Sequence, residues 1–142
     1  VLGLDDIRIA AVNPGAPKLA NDAGANGLFF DPATSGHGFD FNVVDAGMVI
    51  YYYGHTASGE RLWLISELYT GNLEFNQPFE LDFYELPEGT FGSPVEDYST
   101  WGTIRFTLES CTTGLAEFDG ADGSMNMYLE RLVGLPGLGC SR

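Results

Sequence analysis

The sequence predicts an all-β protein, an antiparallel meander of about eight strands that closes as an up-and-down barrel or folds as a sandwich, preceded by an extended N-terminal arm. Three observations predict this fold class. The 142 residues are 44% hydrophobic and 13% aromatic, which is enough for one domain with a core. The 19 glycines and 7 prolines are spread between short apolar runs, as turns are between strands. Helical periodicity is nearly absent.

The predicted strands follow one another at short intervals. They are Gly27–Phe30, Phe39–Val44, Met48–His55, Arg61–Glu67, Phe79–Glu85, Thr103–Ser110, Leu115–Asp119 and Ser124–Leu132. Alternation is clearest in the sixth, where Ile104, Phe106 and Leu108 face one way and polar residues face the other. Such strands have one buried face and one face in water.

Two short turns that contain glycine allow a register to be predicted for the aromatic region. We expect Val44 to pair with Met48, and Thr56 to pair with Glu60. Two cross-strand rows then form, Phe39–Tyr53–Trp63 and Phe41–Tyr51–Ile65. Because aromatic and branched neighbours stabilise sheets, these rows are the predicted core.

The opposite face of the same strands is apolar where a surface in water is usually polar. Its members are Met48, Ile50, Tyr52, Leu62 and Leu64. We expect this face to be covered by the N-terminal arm, by a second sheet layer or by another subunit, and we name it a candidate interface.

Residues 1–26 differ in composition from residues 27–140, which predicts an arm followed by one barrel domain. In the arm, Ile7 and Ile9 alternate with Asp6 and Arg8, and a segment rich in Pro, Gly, Ala and Asn follows. Two interpretations stand. The arm packs on its own barrel, or it pairs with a sheet edge of a neighbour and so forms a dimer or a filament.

The predicted register also places His37, His55 and Arg61 in the row beyond Tyr53 and Trp63, at one end of the sheet. Two imidazoles beside a guanidinium suit a small anion or polar ligand, or half of a metal site. These residues are the candidate ligand mouth. The alternative is that both histidines flank turns and are simply solvated.

The charge balance excludes some partners. The chain has 20 acidic residues against 6 Lys and Arg, a formal net charge of −14. Nucleic acids and anionic membrane surfaces need basic patches, so neither is an expected partner. No apolar run approaches the ~18 residues of a membrane helix, so membrane insertion is not expected either.

Cysteine usage favours an exported protein. A bridge between Cys111 and Cys140 would close a loop of about 30 residues and stabilise the fold by roughly 3–4 kcal/mol, and such bridges persist in oxidising compartments. Two buried free thiols are the alternative. The sequence begins VLGLDD without Met, which is typical of a chain after signal-peptide removal and also of an engineered start.

The sequence offers no recognisable catalytic set, and we expect a non-enzyme. The S-G-H-G segment at Ser35–Gly38 precedes a strand and is not a nucleophile elbow, and H-E-x-x-H is missing. No cofactor is expected. Calcium has a weak candidate loop in Asp119-Gly-Ala-Asp122-Gly, and a weaker one in Asn21–Asn26, although D-G pairs between strands are typical of hairpins.

Residues 27–140 resemble a family of secreted bacterial β-domains. Members read approximately G-L-W-[YF]-[ND]-P-x-x-S-G-x-G-F, followed by an aromatic strand, a D-x-x-G-x-x-x-W hairpin and a late S-x-C-x-x-G segment. The matching segments are GLFFDPATSGHGF at Gly27–Phe39, YYYGHTASGERLW at Tyr51–Trp63 and ESCTTGLAEFDGADGSMNMYLERL at Glu109–Leu132. The chain differs in Phe29, where Trp is usual, and in His55, near the usual Asp. The resemblance implies an exported, barrel-like accessory module and brings no catalytic residues with it.

Together these observations favour a secreted, non-catalytic β-barrel module that acts by association. Its expected partners are other copies of itself, as a subunit of an extracellular assembly or filament, or the target of an adhesion domain, such as a cell-surface or extracellular glycan. The second hypothesis is a barrel that binds a carbohydrate or small molecule at the candidate ligand mouth.

Overall fold

The computed structural model describes residues 25–71, 73–87, 89–94 and 97–133. Several sequence predictions lie outside these residues: the arm up to residue 24 with Ile7 and Ile9, and Cys140 of the expected bridge. The segment that resembles the secreted family, residues 27–140, is described only as far as Val133.

The described chain is a closed meander barrel, as the sequence predicted, and the sandwich alternative does not apply. Every strand pairs antiparallel with its sequence neighbours, and β1 pairs with β8 to close the ring. The strands are β1 Gly27–Phe30, β2 Gly38–Val44, β3 Gly47–His55, β4 Arg61–Ser66, β5 Phe79–Glu85, β6 Ser99–Leu108, β7 Thr113–Gly120 and β8 Gly123–Val133. A short 3₁₀ helix, Pro32–Thr34, lies between β1 and β2.

The interior of the barrel is filled by aromatic rings. Phe106 is fully buried, and its ring centroid lies 5.1 Å from that of Phe39, 5.5 Å from those of Phe41 and Phe79, and 6.0 Å from that of Phe83. Rings at these separations attract one another beyond their area burial, by about 0.5–1.5 kcal/mol per pair. The middle of the barrel is therefore a packed core.

The register between β2 and β3 corrects one prediction. Val44 pairs with Gly47, so the turn is one residue shorter than expected, and Phe39 faces Tyr52 instead of Tyr53. Gly47 lies in the strand because Met48 bridges to Tyr69, and a Cβ on Gly47 would overlap the Tyr69 carbonyl. A shift of one residue exchanges the two faces of a strand. The predicted β3–β4 pairing of Tyr53 with Trp63 is correct.

The candidate interface is consequently the inside of the barrel. Its residues, Met48, Ile50, Tyr52, Leu62 and Leu64, have at most 2% of their surface exposed. The interpretation that a subunit or arm covers them is wrong, since the other walls of the same barrel cover them. The two apolar faces of β3 and β4 are thus a core face, which carries Tyr52 and Leu64, and an outer face, which carries Tyr53 and the exposed Trp63.

Asp31 follows the last residue of β1 and continues the link to β8 through a side-chain hydrogen bond. Its Oδ1 accepts a hydrogen bond from the Ala33 amide (2.9 Å) and caps the 3₁₀ helix. Its Oδ2 accepts from the Tyr128 amide of β8 (3.2 Å). Asp31 is buried, so both contacts are made away from bulk water. The D-P step of the sequence therefore joins the β1–β2 connection to β8.

The two ends of the barrel differ. We call the end where β2, β4, β6 and β8 begin the top end, and the opposite one the bottom end. At the bottom end the β4–β5 connection places Leu73 and Phe75 in the core, and the Asn76 amide donates to the carbonyl of Leu108 (2.7 Å). The bottom end is therefore covered, and the functional search turns to the top end.

Replacing Phe106 with alanine tests the central packing. We expect Phe106→Ala to lower the free energy of unfolding by about 3–5 kcal/mol, because it removes the ring that touches several others and leaves a cavity. Tyr128→Ala, at an outer position with 72% exposure, is the control and should change stability by less than about 0.5 kcal/mol. Urea unfolding followed by fluorescence measures both, and similar costs would contradict the assigned core.

Candidate functional site

A cavity of about 210 Å³ opens at the top end of the barrel, between the inner wall and the β3–β4 and β7–β8 turns. We call it the mouth pocket. Its walls are mainly Tyr52, Leu62, Trp101, Phe118, Asp122 and Met125. Most of these side chains point inward from β3, β4, β6 and β7, so the pocket is the open top of the packed core.

Two glycines make room for the largest rings of the mouth pocket. A Cβ on Gly54 would overlap the phenol group of Tyr52, and a Cβ on Gly120 would overlap the indole ring of Trp101. Both glycines occupy inward-facing strand positions, where any other residue would point its side chain into the barrel. The two rings are thus held against bare backbone, in positions that alanine would disturb.

Asp122 connects three segments at the top end. Its Oδ2 accepts a hydrogen bond from Nε1 of Trp101 (2.8 Å), and its Oδ1 accepts from the Ala57 amide in the β3–β4 turn (2.9 Å). Asp122 itself lies in the turn between Gly120 and Gly123, which pair with each other. The carboxylate therefore fixes the indole ring and both turns relative to one another.

Tyr52 is the titratable group of the pocket with the largest perturbation. Burial raises the pKa of its phenol to about 12, and the negative charge of Asp122 adds to the shift in the same direction. A phenol in such a place stays neutral over the whole physiological range. Tyr52 therefore offers the pocket a ring and a neutral hydroxyl, and not a proton carrier.

A second feature lies on the outside of the same strands. We call it the outer aromatic face, and its residues are Tyr51, Tyr53, Trp63, Ile65 and Tyr84. Tyr53 and Trp63 are cross-strand partners whose ring centroids are 5.1 Å apart at 80°. Trp63 is 53% exposed, which is unusual for so large an apolar side chain. The exposed ring and its partly buried neighbours form a continuous surface.

The electrostatics of this face are mildly acidic. Asp40 lies opposite Tyr51 in the β2–β3 register. The pKa of Tyr53 is raised, first by partial burial and then by the negative charge of Asp40 and by Tyr51. The Tyr53 hydroxyl is therefore a neutral donor and acceptor beside the exposed indole.

The candidate ligand mouth assembles on the outer side of the barrel. Nδ1 of His55 and Nε2 of His37 are 3.1 Å apart, and Nδ1 of His37 lies 3.3 Å from the carbonyl of Thr34. Both contacts are satisfied when His37 donates to Thr34 and His55 donates to His37. Arg61 pairs with His55 across β3–β4.

Of the five residues expected at the ligand mouth, His37 contacts His55, Tyr53 contacts Trp63, and Arg61 is the strand partner of His55. Tyr53 and Trp63 lie on the outer aromatic face and not around the lumen. His55 alone of these five also lines the mouth pocket. Sequence reasoning did not find the pocket group of Trp101, Phe118 and Asp122. The available signal was the pair of glycines at inward strand positions, Gly54 and Gly120, which marks a close approach of something bulky.

In the suggested calcium loop, both aspartate side chains bind groups of the protein itself. Asp119 Oδ1 accepts from the Ser124 hydroxyl (3.3 Å), whereas Asp122 binds Trp101 and Ala57. The Gly120–Gly123 pair makes the segment a tight hairpin. Among residues 25–133, where described, no three His, Cys, Asp or Glu side chains are grouped so as to hold a metal ion.

No protein-family model, curated protein or solved structure matches this chain. The resemblance of residues 27–140 to a secreted bacterial family accordingly stays an expectation. In the portion that the structure describes, no helix has the length and apolar character needed to cross a membrane.

The raised pKa of Tyr52 predicts how stability depends on pH. Above pH 10 the unfolded chain releases the phenol proton while the folded protein keeps it up to about pH 12, so alkali favours unfolding. The wild type should therefore lose about 1–2 kcal/mol more than Tyr52→Phe between these limits, since the phenylalanine has no proton to release and residual solvent contact of the phenol screens part of the shift.

Urea unfolding of both proteins at about pH 9 and about pH 11.5 measures this difference. Tyr128→Phe, at the exposed outer position, is the matched control and should follow the wild type. Equal losses in the wild type and Tyr52→Phe would show that the phenol is not buried as described.

Proposed function

We propose that this protein is a secreted, non-catalytic binding module that associates with a neutral extracellular glycan through its outer aromatic face. The observation that carries the proposal is the 53% exposure of Trp63, which lies edge to face with Tyr53 on the outer surface of a rigid barrel. Exposed aromatic rings that are grouped into one surface mark interaction sites, whereas single exposed side chains are normal.

The filled interior supports placing the site outside. Eight-stranded barrels either hold one small guest or fill their lumen with side chains, and here Phe39, Phe41, Phe83 and Phe106 occupy the middle. A sugar chain is too large for the 210 Å³ that remains at the top end. An extended ligand therefore has to use the surface.

The chemistry of the outer aromatic face suits a sugar. The faces of sugar rings carry C–H groups that pack on an indole, whereas their rims carry hydroxyls that need hydrogen-bonding partners. Tyr53, the cross-strand partner of Trp63, supplies a hydroxyl. Asp40, whose charge acts on Tyr53, and His55, two residues along β3, offer further polar groups. The acidic balance of the chain, −14, favours neutral over anionic glycans.

Self-association, the other form of the association hypothesis, has weaker support. Two copies that each carry −14 repel one another, which keeps such proteins apart at low salt. Strand addition by an arm needs a free sheet edge, and β1 and β8 pair with each other in the described barrel. The glycan is therefore the partner to which we commit.

Removing the exposed indole tests the proposed function. We expect Trp63→Ala to weaken retention on insoluble neutral polysaccharides such as cellulose, chitin or a β-glucan by at least about tenfold, or about 1.4 kcal/mol, because aromatic anchors dominate binding energies. Pull-down with each polysaccharide and an affinity gel with soluble glucan measure it. Tyr128→Ala, an exposed tyrosine on β8, is the matched control and should bind like the wild type.

Retention of Trp63→Ala at the wild-type level would overturn the outer aromatic face as the site. Analytical sedimentation of the full chain at about 0.15 M salt tests the remaining alternative, which is self-association through the same face. Oligomers that disappear in Trp63→Ala, without any glycan bound, would replace the glycan by a second copy of the chain.

Export is part of the same proposal, and a Cys111–Cys140 bridge, which we propose with it, would support it. Cys111 lies in the β6–β7 connection at the bottom end, is buried, and is not a free thiol. The Arg131 amide donates to the carbonyl of Thr112 next to it (2.8 Å), so β8 ends beside Cys111. The chain therefore leaves Val133 close to the cysteine with which Cys140 is proposed to pair.

The bridge predicts a mass that alkylation leaves unchanged unless a reductant is present. Intact-mass spectrometry of protein denatured with iodoacetamide, with and without reductant, measures this. Reduction should lower the free energy of unfolding by roughly 3–4 kcal/mol for a loop of this length. Two carbamidomethyl groups on unreduced protein would remove the cysteine argument for export.

A further inference from the structure

We propose that the mouth pocket is a second binding site, specific for a small organic cation of the methylated-ammonium type. The proposal rests on three properties of the pocket: its aromatic walls, its carboxylate and its size. It does not depend on the glycan proposal, because it concerns inward side chains and a different class of ligand.

The aromatic walls stand at large angles to one another. Tyr52 and Phe118 have ring centroids 5.1 Å apart and planes at 69°, and Trp101 meets Phe118 at 6.2 Å and 86°. Rings arranged in this way enclose a corner instead of stacking flat. Cations are attracted to the faces of such rings, most strongly to Trp, and quaternary ammonium groups are recognised in aromatic enclosures.

The carboxylate of Asp122 supplies a negative charge that nothing neutralises in the described part of the chain. Its two hydrogen bonds come from neutral N–H groups, those of Trp101 and Ala57. A carboxylate has about four lone-pair positions, so it keeps capacity for a further partner. The negative charge of the whole chain raises the local concentration of cations as well.

The dimensions and lining select the kind of cation. The volume of about 210 Å³ is below the 300–1,000 Å³ typical of sites for drug-sized ligands, so the occupant has few non-hydrogen atoms. A bare metal ion needs several oxygen, nitrogen or sulfur ligands, and the described residues group no such set. Leu62 and Met125 offer apolar surface, which suits methyl groups around a charged nitrogen.

Ligand-observed NMR with choline chloride and the full chain tests the proposal. Ring currents from the aromatic walls should move the choline methyl signal upfield, which loose attraction to an acidic surface does not do. The neutral carbon analogue 3,3-dimethylbutanol has nearly the same shape without the charge. We expect it to bind at least about tenfold more weakly than choline at equal ionic strength, since cation–π and carboxylate attraction are lost.

Two variants separate the pocket charge from the overall charge. Asp122→Asn should weaken choline binding about tenfold, whereas Asp119→Asn removes the same charge from the same hairpin without lining the pocket and should leave binding unchanged. Because Asp122 also fixes two turns, Asp122→Asn could weaken binding by disturbing the fold. A third variant, which leaves Asp122 in place, therefore tests the pocket independently. Met125→Phe, at a position 43% exposed, should fill the mouth and abolish the upfield shift.

Three results together support the cation site: Asp122→Asn weakens choline binding, Asp119→Asn does not, and Met125→Phe abolishes the upfield shift of the choline methyl signal. Equal effects of the two aspartate variants would assign binding to the general acidic surface and overturn it. Equal binding of 3,3-dimethylbutanol would do the same, because the pocket would then be a plain apolar cavity. Unchanged binding by folded Met125→Phe would also exclude the mouth pocket.

Discussion

The ring packing inside the barrel is the constraint on which the rest of the structure depends. A circle of eight strands is narrow enough to be filled by side chains, and Phe106 brings together rings from opposite walls. A filled barrel has no lumen to offer a guest. Any recognition therefore has to use the top end, where the packing stops, or the outside of the strands. Both places carry aromatic side chains.

The mouth pocket is rigid because it continues the core. Phe118 packs against Phe39 at 5.6 Å, and Tyr52 packs against Phe39 at 5.0 Å, so two walls of the pocket rest on the same buried ring. Asp122 adds hydrogen bonds that span the top turns. Side chains locked by packing and by such bonds present a site in its binding geometry before any ligand arrives, which lowers the ordering cost of binding.

Sequence patterns were sufficient for the strands and insufficient for their faces. Apolar alternation and glycine turns located every strand to within a few residues, since these signals are local. The β2–β3 register depended on whether Gly47 belongs to the turn or to the strand, and a contact with Tyr69, distant in sequence, decides it. That single residue moved Phe39 to the side of Tyr52 and left Tyr53 outside. The Asp122–Trp101–Ala57 group was invisible for a related reason, because barrel closure is what brings it together.

Strand β3 carries both proposed sites, and its period of two keeps them apart. Tyr52 points into the mouth pocket while Tyr53, the next residue, belongs to the outer aromatic face. The two surfaces meet at His55, which lines the pocket and also contacts His37 on the outside. Its imidazole can serve His37 as a donor only through Nδ1, and this bond orients the ring beside the pocket. His55 is therefore a residue that the two surfaces share.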